Sequence, residues 1–312
     1  MLIEVEQVVK RYKETLALDH FDFYLEEGEI VGLLGPNGSG KTTLINCMLS
    51  LLKYDKGSVK IFGKPMTPDS WEIKSKIGVV PQELAYFPSL NVVENIDYFC
   101  GLYVQDNARR KQLIQEAIDF TGLKGYERFL PKQLSGGLKR RLNIACGIAH
   151  KPELLFLDEP TVAVDAQSRN FILEGVKKMN REGTSVVYTT HYLEEAEQLC
   201  DRIVIIDKGK NLVNGSKEEL LGMINTSEII YLKLLEYPEN IRAQIASLPQ
   251  VVEVQDRGEK SGLEIRFEKG VNHLSKVLDF IKENELVYTG LYSERPSLND
   301  VFLELTGKEL RE

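Results

Sequence analysis

Gly35-Pro36-Asn37-Gly38-Ser39-Gly40-Lys41-Thr42-Thr43 is the stretch on which the reading of this chain turns. It fits the pattern G-x-x-x-x-G-K-[ST], and its neighbours supply the context that pattern needs. Before it, Ile30-Val31-Gly32-Leu33-Leu34 is a continuous apolar run, as a strand buried on both faces should be; after it, Lys41 to Ser50 carries helical periodicity. The glycines let main-chain N–H groups turn toward one point and let phosphates approach closely. A helix starting near Gly40 adds its dipole and its free amides. Lys41 supplies a cation for β- and γ-phosphates, and the Thr42 hydroxyl can ligate magnesium.

Working outward, Leu154 to Leu157, Ser185 to Thr189 and Ile203 to Ile206 are further buried-strand runs. With helices between them they imply a mostly parallel sheet in an α/β layer arrangement. Asp158 and Glu159 follow the first of these runs, at the strand end where open α/β sheets bind ligands. Asp158 is the expected second metal residue, and Glu159 can point at the water attacking the γ-phosphate. Leu2 to Val8 and Phe21 to Leu25 alternate like half-buried strands, whereas Asn91 to Tyr103 and Asn107 to Phe120 have helical spacings. The latter belong to a helical insert spanning about 83–150. After about Gly222 the order becomes βαββαβ plus a final helix, which fits a small ferredoxin-like α+β domain. The expected domains are therefore 1–222 and 223–312.

Lys plus Arg is 39 and Asp plus Glu is 47 in 312 residues, a net charge of −8. Such a balance argues against nucleic acid as the main partner. No apolar run reaches the roughly 18 residues of a bilayer span, and the N-terminus has no signal-peptide pattern. The four cysteines are far apart and lack metal-ligand spacing, so they read as buried hydrophobes. Lys139-Arg140-Arg141 and Glu194-Glu195-Ala196-Glu197 read as solvated helix faces. His20, His150 and His273 read as structural histidines.

Leu134-Ser135-Gly136-Gly137-Leu138 is similar to the LSGGQ signature of the ATP-binding cassette (ABC) ATPases. With the Gly35–Thr43 loop and Asp158-Glu159 at family-like spacing, Leu2 to about Leu221 resembles that family. The resemblance implies a P-loop NTPase core with an antiparallel β subdomain, ATP and Mg2+ as ligands, and ATP hydrolysis as the reaction. By position it assigns Tyr12 to adenine stacking, Gln82 to the magnesium or the attacking water, and His191 to the γ-phosphate. It implies that Ser135, Gly136 and Gly137 bind ATP held by a second cassette subunit in a head-to-tail dimer. Leu138 stands where the family has Gln, and the segment Val162-Ala163-Val164-Asp165 departs from the usual D-loop while keeping its Asp.

The tail Arg295-Pro296-Ser297-Leu298-Asn299-Asp300-Val301-Phe302-Leu303-Glu304-Leu305-Thr306-Gly307 resembles the end of ATPase subunits from type-2 ABC exporters, including drug-resistance and sodium-export systems. This resemblance implies a subunit that couples ATP-driven closure to export through separate integral-membrane permeases, at the cytoplasmic face of the membrane. The apolar loop Leu84 to Leu90 is the candidate docking patch. The competing reading is a soluble ABC ATPase acting on an iron–sulfur scaffold, a ribosome or DNA.

Overall fold

The computed structural model describes residues 1–224, 226–258, 262–268 and 272–306. It contains two compact units, one of Met1–Lys217 and a second beginning at Glu218, so the division falls a few residues before the expected Gly222.

In chain order the first unit comprises β1 (Ile3–Tyr12), β2 (Thr15–Leu25), β3 (Ile30–Leu34), α1 (Lys41–Met48), β4 (Lys56–Ile61), β5 (Lys64–Pro65), α2 (Trp71–Lys74) and β6 (Ile77–Val80). It continues with α3 (Val92–Gly101), α4 (Asn107–Thr121), α5 (Gly136–Ile148), β7 (Leu154–Asp158), α6 (Ala166–Arg181) and β8 (Ser185–Thr190). The last elements are α7 (Leu193–Leu199), β9 (Arg202–Asp207), β10 (Lys210–Gly215) and α8 (Lys217–Met223), the last of which crosses the division.

Two sheets form this unit. One is antiparallel, in the order β2-β1-β4-β5; the other has the order β10-β9-β3-β8-β7-β6 and is parallel from β9 to β6. Every residue of β3 and β7 is buried, which is why both read as unbroken apolar runs. In register, Leu34 stands beside Thr190, and Asp158 beside Thr189. The loops after β3, β7 and β8 therefore leave the sheet together at its C-terminal edge.

Helices α3, α4 and α5 pack around Ile96, Leu113, Ile118, Leu142 and Ala145 as a separate helical core. Their ends are set by local chemistry. Asn91 and Glu94 form a reciprocal capping box at α3, Asp106 caps α4, and Gly122 ends α4 at φ 64°. Tyr86 packs against this core, while Leu84 and Phe87 stay exposed and the Phe87 ring meets Tyr98 edge-on at 4.7 Å.

The second unit contains β11 (Thr226–Leu234), α9 (Ile241–Ala246), β12 (Val251–Asp256), β13 (Leu263–Glu268), α10 (His273–Glu283), β14 (Tyr288–Glu294) and α11 (Leu298–Thr306). Its antiparallel sheet runs β12-β13-β11-β14. Arg266 on β13 is buried and bonds both Glu264 and Asp300, the latter 2.8 Å away on α11. Asp300 also accepts from the Ser297 amide and hydroxyl, which fixes the start of α11 to the sheet.

Candidate active site

The loop 35–43 closes around its own backbone. A side chain at Gly35 would meet the Ile206 carbonyl at 2.2 Å, and Gly40 has φ 116° with the Ala17 carbonyl 2.8 Å from any added Cβ. Only glycine fits either position. The first intrahelical bond of α1 runs from the Leu44 amide to the Gly40 carbonyl. The amides of Lys41, Thr42 and Thr43 thus precede the helical ladder, where an anion can be received. The Ser39 hydroxyl is buried beside Gly35 without a hydrogen-bond partner among the described residues. That orphaned donor fits a phosphate oxygen. Asn37 and Gly38 form the exposed tip, and the Pro36 carbonyl accepts from the Ser39 amide.

Lys41 is buried, and its ammonium donates to the carbonyls of Gly35 at 2.7 Å and Pro36 at 3.1 Å. It also lies 3.1 Å from Glu159 Oε1. The other carboxylate oxygen, Oε2, accepts from Gln82 Nε2 at 3.1 Å and has His191 Nδ1 at 3.3 Å, in ion-pair range but without hydrogen-bond alignment. Glu159 is thus the point where Lys41, Gln82 and His191 converge from three different loops. Its backbone is in the left-handed region at φ 47°, a strained state for a non-glycine residue that concentrates at functional sites. The Thr189 hydroxyl accepts from the Glu159 amide at 2.9 Å and donates to Asp158 Oδ1 at 2.6 Å, holding the turn in place.

Asp158 Oδ2 accepts from the Thr42 hydroxyl at 2.8 Å. Thr42, Asp158 and the Gln82 amide form an oxygen-rich set of the kind that suits magnesium, which keeps waters and takes phosphate oxygens as further ligands. A carboxylate held beside a cation, a carboxamide and an imidazole can accept a proton from a water directed at a phosphate.

Ser135 caps α5, its hydroxyl accepting from the Leu138 amide, and both Ser135 and Gly136 are exposed. Gly137 is buried, and a Cβ there would lie 2.3 Å from the Ser168 hydroxyl and 3.3 Å from Asp165. Its small size is required by packing against the start of α6. Leu138 is half-buried against the helical core, an apolar use of the position. Tyr12 stands at the end of β1, largely exposed, with the Lys10 ammonium 5.2 Å from its ring centre; it is not among the groups gathered on Glu159.

Two expectations are corrected. Arg140 is buried, not solvated: its guanidinium donates to the Gln82 carbonyl at 2.8 Å, and burial draws it below the ordinary arginine range. Beside it, Asn143 donates to the Pro81 carbonyl at 3.1 Å and accepts from the Ala85 amide at 2.8 Å. Together they hold the segment that carries Gln82. Glu195 is also buried, because three hydroxyls converge on its Oε2. Neither residue, nor Thr189, stands out in the sequence. Three threonine or tyrosine hydroxyls at Tyr188, Thr189 and Thr190, in an otherwise apolar strand, were the available signal.

The ABC transporter family matches residues 18–162. Over the full length of both chains, the protein is 37% identical to a linearmycin resistance ATP-binding protein of Bacillus subtilis. It is 32% identical to a daunorubicin resistance ATP-binding protein of Streptomyces coeruleorubidus, covering 99% of this chain and 97% of that one. A Nod factor export ATP-binding protein of Burkholderia thailandensis is also 32% identical, with 99% and 98% covered. Among solved structures, a dimeric bacterial ABC transporter cassette superposes with a TM-score of 0.64 at 30% identity, over 69% of this chain and 98% of that one. A post-hydrolysis cassette dimer bound to ADP and phosphate gives 0.64 at 29% identity, with 69% and 98% covered.

Proposed function

The chain belongs to the ABC transporter family of ATP-binding proteins, an ATPase family, and we infer from this that it drives an exporter. Its partners in that reading are integral-membrane permease subunits and a second cassette, at the cytoplasmic face of the membrane. Full-length similarity to ATP-binding proteins of linearmycin and daunorubicin resistance and of Nod factor export supports export. Among the described residues no helix is long and apolar enough to cross a membrane, so the translocation path is assigned to other subunits. The exposed Leu84, Phe87 and Tyr98 supply an apolar surface for docking them.

In the proposed reaction ATP and water give ADP and phosphate. Gly35, Pro36, Asn37, Gly38, Ser39, Gly40, Lys41, Thr42 and Thr43 cradle the phosphates, and Tyr12 stacks on the base. Thr42, Asp158 and Gln82 would hold Mg2+, which neutralises charge on the β- and γ-phosphate oxygens. Glu159 accepts the proton of the attacking water, Gln82 orients that water, and His191 contacts the γ-phosphate. Ser135, Gly136 and Gly137 belong to the other nucleotide of a head-to-tail pair; the exposure of Ser135 and Gly136 suits that role. Binding then favours the closed dimer, and hydrolysis releases it.

The βαββαβ order and the sheet order β12-β13-β11-β14 support reading the second unit as a ferredoxin-like domain that regulates or dimerises. The observation carrying the catalytic assignment is the convergence of Lys41, Gln82 and His191 on Glu159. Glu159→Gln should bind ATP yet turn over at least about 100-fold more slowly. Turnover near that of the unaltered protein would remove Glu159 as the base.

A further inference from the structure

Glu195 on α7 is a charge in an enclosed place, only 2% exposed. Its Oε2 accepts from Thr161 Oγ1 at 2.9 Å, Tyr188 OH at 2.9 Å and Thr190 Oγ1 at 3.0 Å. Arg169 Nε on α6 stands 3.3 Å from its Oε1. Burial and the adjacent Glu195 charge push the Tyr188 phenol well above its ordinary range, so it stays a donor.

The residues tied to Glu195, directly or through the Thr190 hydroxyl, flank His191 on both sides. Thr190 precedes it, and the Thr190 hydroxyl that donates to Glu195 also accepts from the Tyr192 amide at 2.9 Å. Tyr192 follows it, with the Arg169 guanidinium 4.7 Å from its ring centre and the His191 ring tilted against it at 4.1 Å. Thr161 lies just beyond Glu159, on the turn that leads to α6. One carboxylate therefore ties the turn after Glu159 to the turn carrying His191.

We propose that Glu195 is a positioning residue for ATP hydrolysis, which holds His191 against Glu159 by anchoring Thr190, Tyr192 and Thr161. This rests on the assignment of Glu159 and His191 made above. With Oε2 taken up by three hydroxyls, Glu195 acts through the flanks of His191. Displacing a catalytic group by about 1 Å costs on the order of 100-fold in rate, whereas nucleotide binding on Gly35–Thr43 does not involve this network.

The test is steady-state MgATP turnover by the full-length protein bearing Glu195→Gln, His191→Ala, both together, or Glu159→Gln. Glu195→Gln keeps the size of the side chain but removes the negative charge that gathers three hydroxyls on Oε2, and with its oxygen there it puts an NH2 donor where Oε1 faces Arg169. The expected result is a kcat lower by about 10- to 100-fold with little change in KM, and almost no further loss when His191→Ala is added. Thr190→Val, which removes one donor to Glu195 and the acceptor of the Tyr192 amide, should give a weaker loss of the same type. A Glu195→Gln kcat within about twofold of the unaltered protein, with Glu159→Gln inactive, overturns the positioning role alone. Fully additive losses in the Glu195→Gln and His191→Ala pair also overturn it. Near-normal turnover in Glu159→Gln or His191→Ala overturns the underlying assignment and the proposal together.

Discussion

Removing the Asn143 side chain should loosen one loop of the candidate active site without unfolding the unit. Asn143 bridges the two ends of the segment 81–85, through 3.1 Å to the Pro81 carbonyl and 2.8 Å to the Ala85 amide. The Asn143 side chain is buried, and the neighbouring Arg140 keeps its own 2.8 Å bond to Gln82. Asn143→Ala deletes a donor and an acceptor at once. At about 1 kcal/mol for each bond, and more if the freed backbone groups stay dry, the segment loses roughly 2–3 kcal/mol of local stability. Since each 1.36 kcal/mol is a factor of ten, the Ala85 amide should exchange with solvent about 30- to 160-fold faster. Amide hydrogen exchange resolved at single residues reads this directly. Gln82 stays tethered by Arg140 and by Glu159, so turnover should fall severalfold and not vanish. An unchanged Ala85 exchange rate would refute the clamp, and so would an acceleration spread evenly over β3, β7 and β8.

Other outcomes rest on single groups. Tyr12→Ala should raise the KM for ATP by roughly 5- to 100-fold, the worth of one base–aromatic stack, while kcat at saturating ATP is kept; a loss confined to kcat contradicts the stacking role. Asp300→Asn strips a buried carboxylate from Arg266 and weakens the start of α11. It should lower the stability of the second unit by about 3 kcal/mol, visible as an earlier unfolding step in calorimetry, and coincident melting with the unaltered protein would show the pair to be dispensable. Burial pushes the Cys47 thiol from the ordinary value near 9 up to about 11. The fold thus holds the neutral thiol, so its contribution to stability persists below pH 9 and is lost as pH rises toward 11. Cys47→Ala should flatten that alkaline decline, and an identical pH profile would exclude it.

The core was legible because its residues obey one rule at a time. Strands β3 and β7 are apolar throughout, since both faces are covered, and a glycine loop between such a strand and a helix has few other uses. Asp158 and Glu159 could be placed for the same reason: a strand that is buried to its last residue delivers the next side chain to the sheet edge. Other strands gave weaker signals. β4 mixes lysine, serine and glycine among its apolar residues, and β6 has only four residues with Val79 turned to solvent. Their pairing with β1 and β7 comes from tertiary register that local alternation does not encode.

The two charged runs were misread for a shared physical reason. In Lys139-Arg140-Arg141 and in Glu194-Glu195-Ala196-Glu197, successive helical residues point about 100° apart, so a run of charges must turn some member inward when the helix is packed on more than one side. In each run one side chain does so, and it meets polar loop atoms. Arg140 finds the carbonyl of Gln82, and Glu195 finds three hydroxyls beside His191 and Glu159. A loop at a sheet edge leaves backbone and hydroxyl groups without ladder partners, and burying them demands a charge or amide from a neighbouring helix. The loops that position Gln82, Glu159 and His191 are of that kind. Buried charges on α5 and α7 are therefore what an edge-built site requires, and consecutive charges next to such loops should be weighed as candidate anchors before they are assigned to solvent.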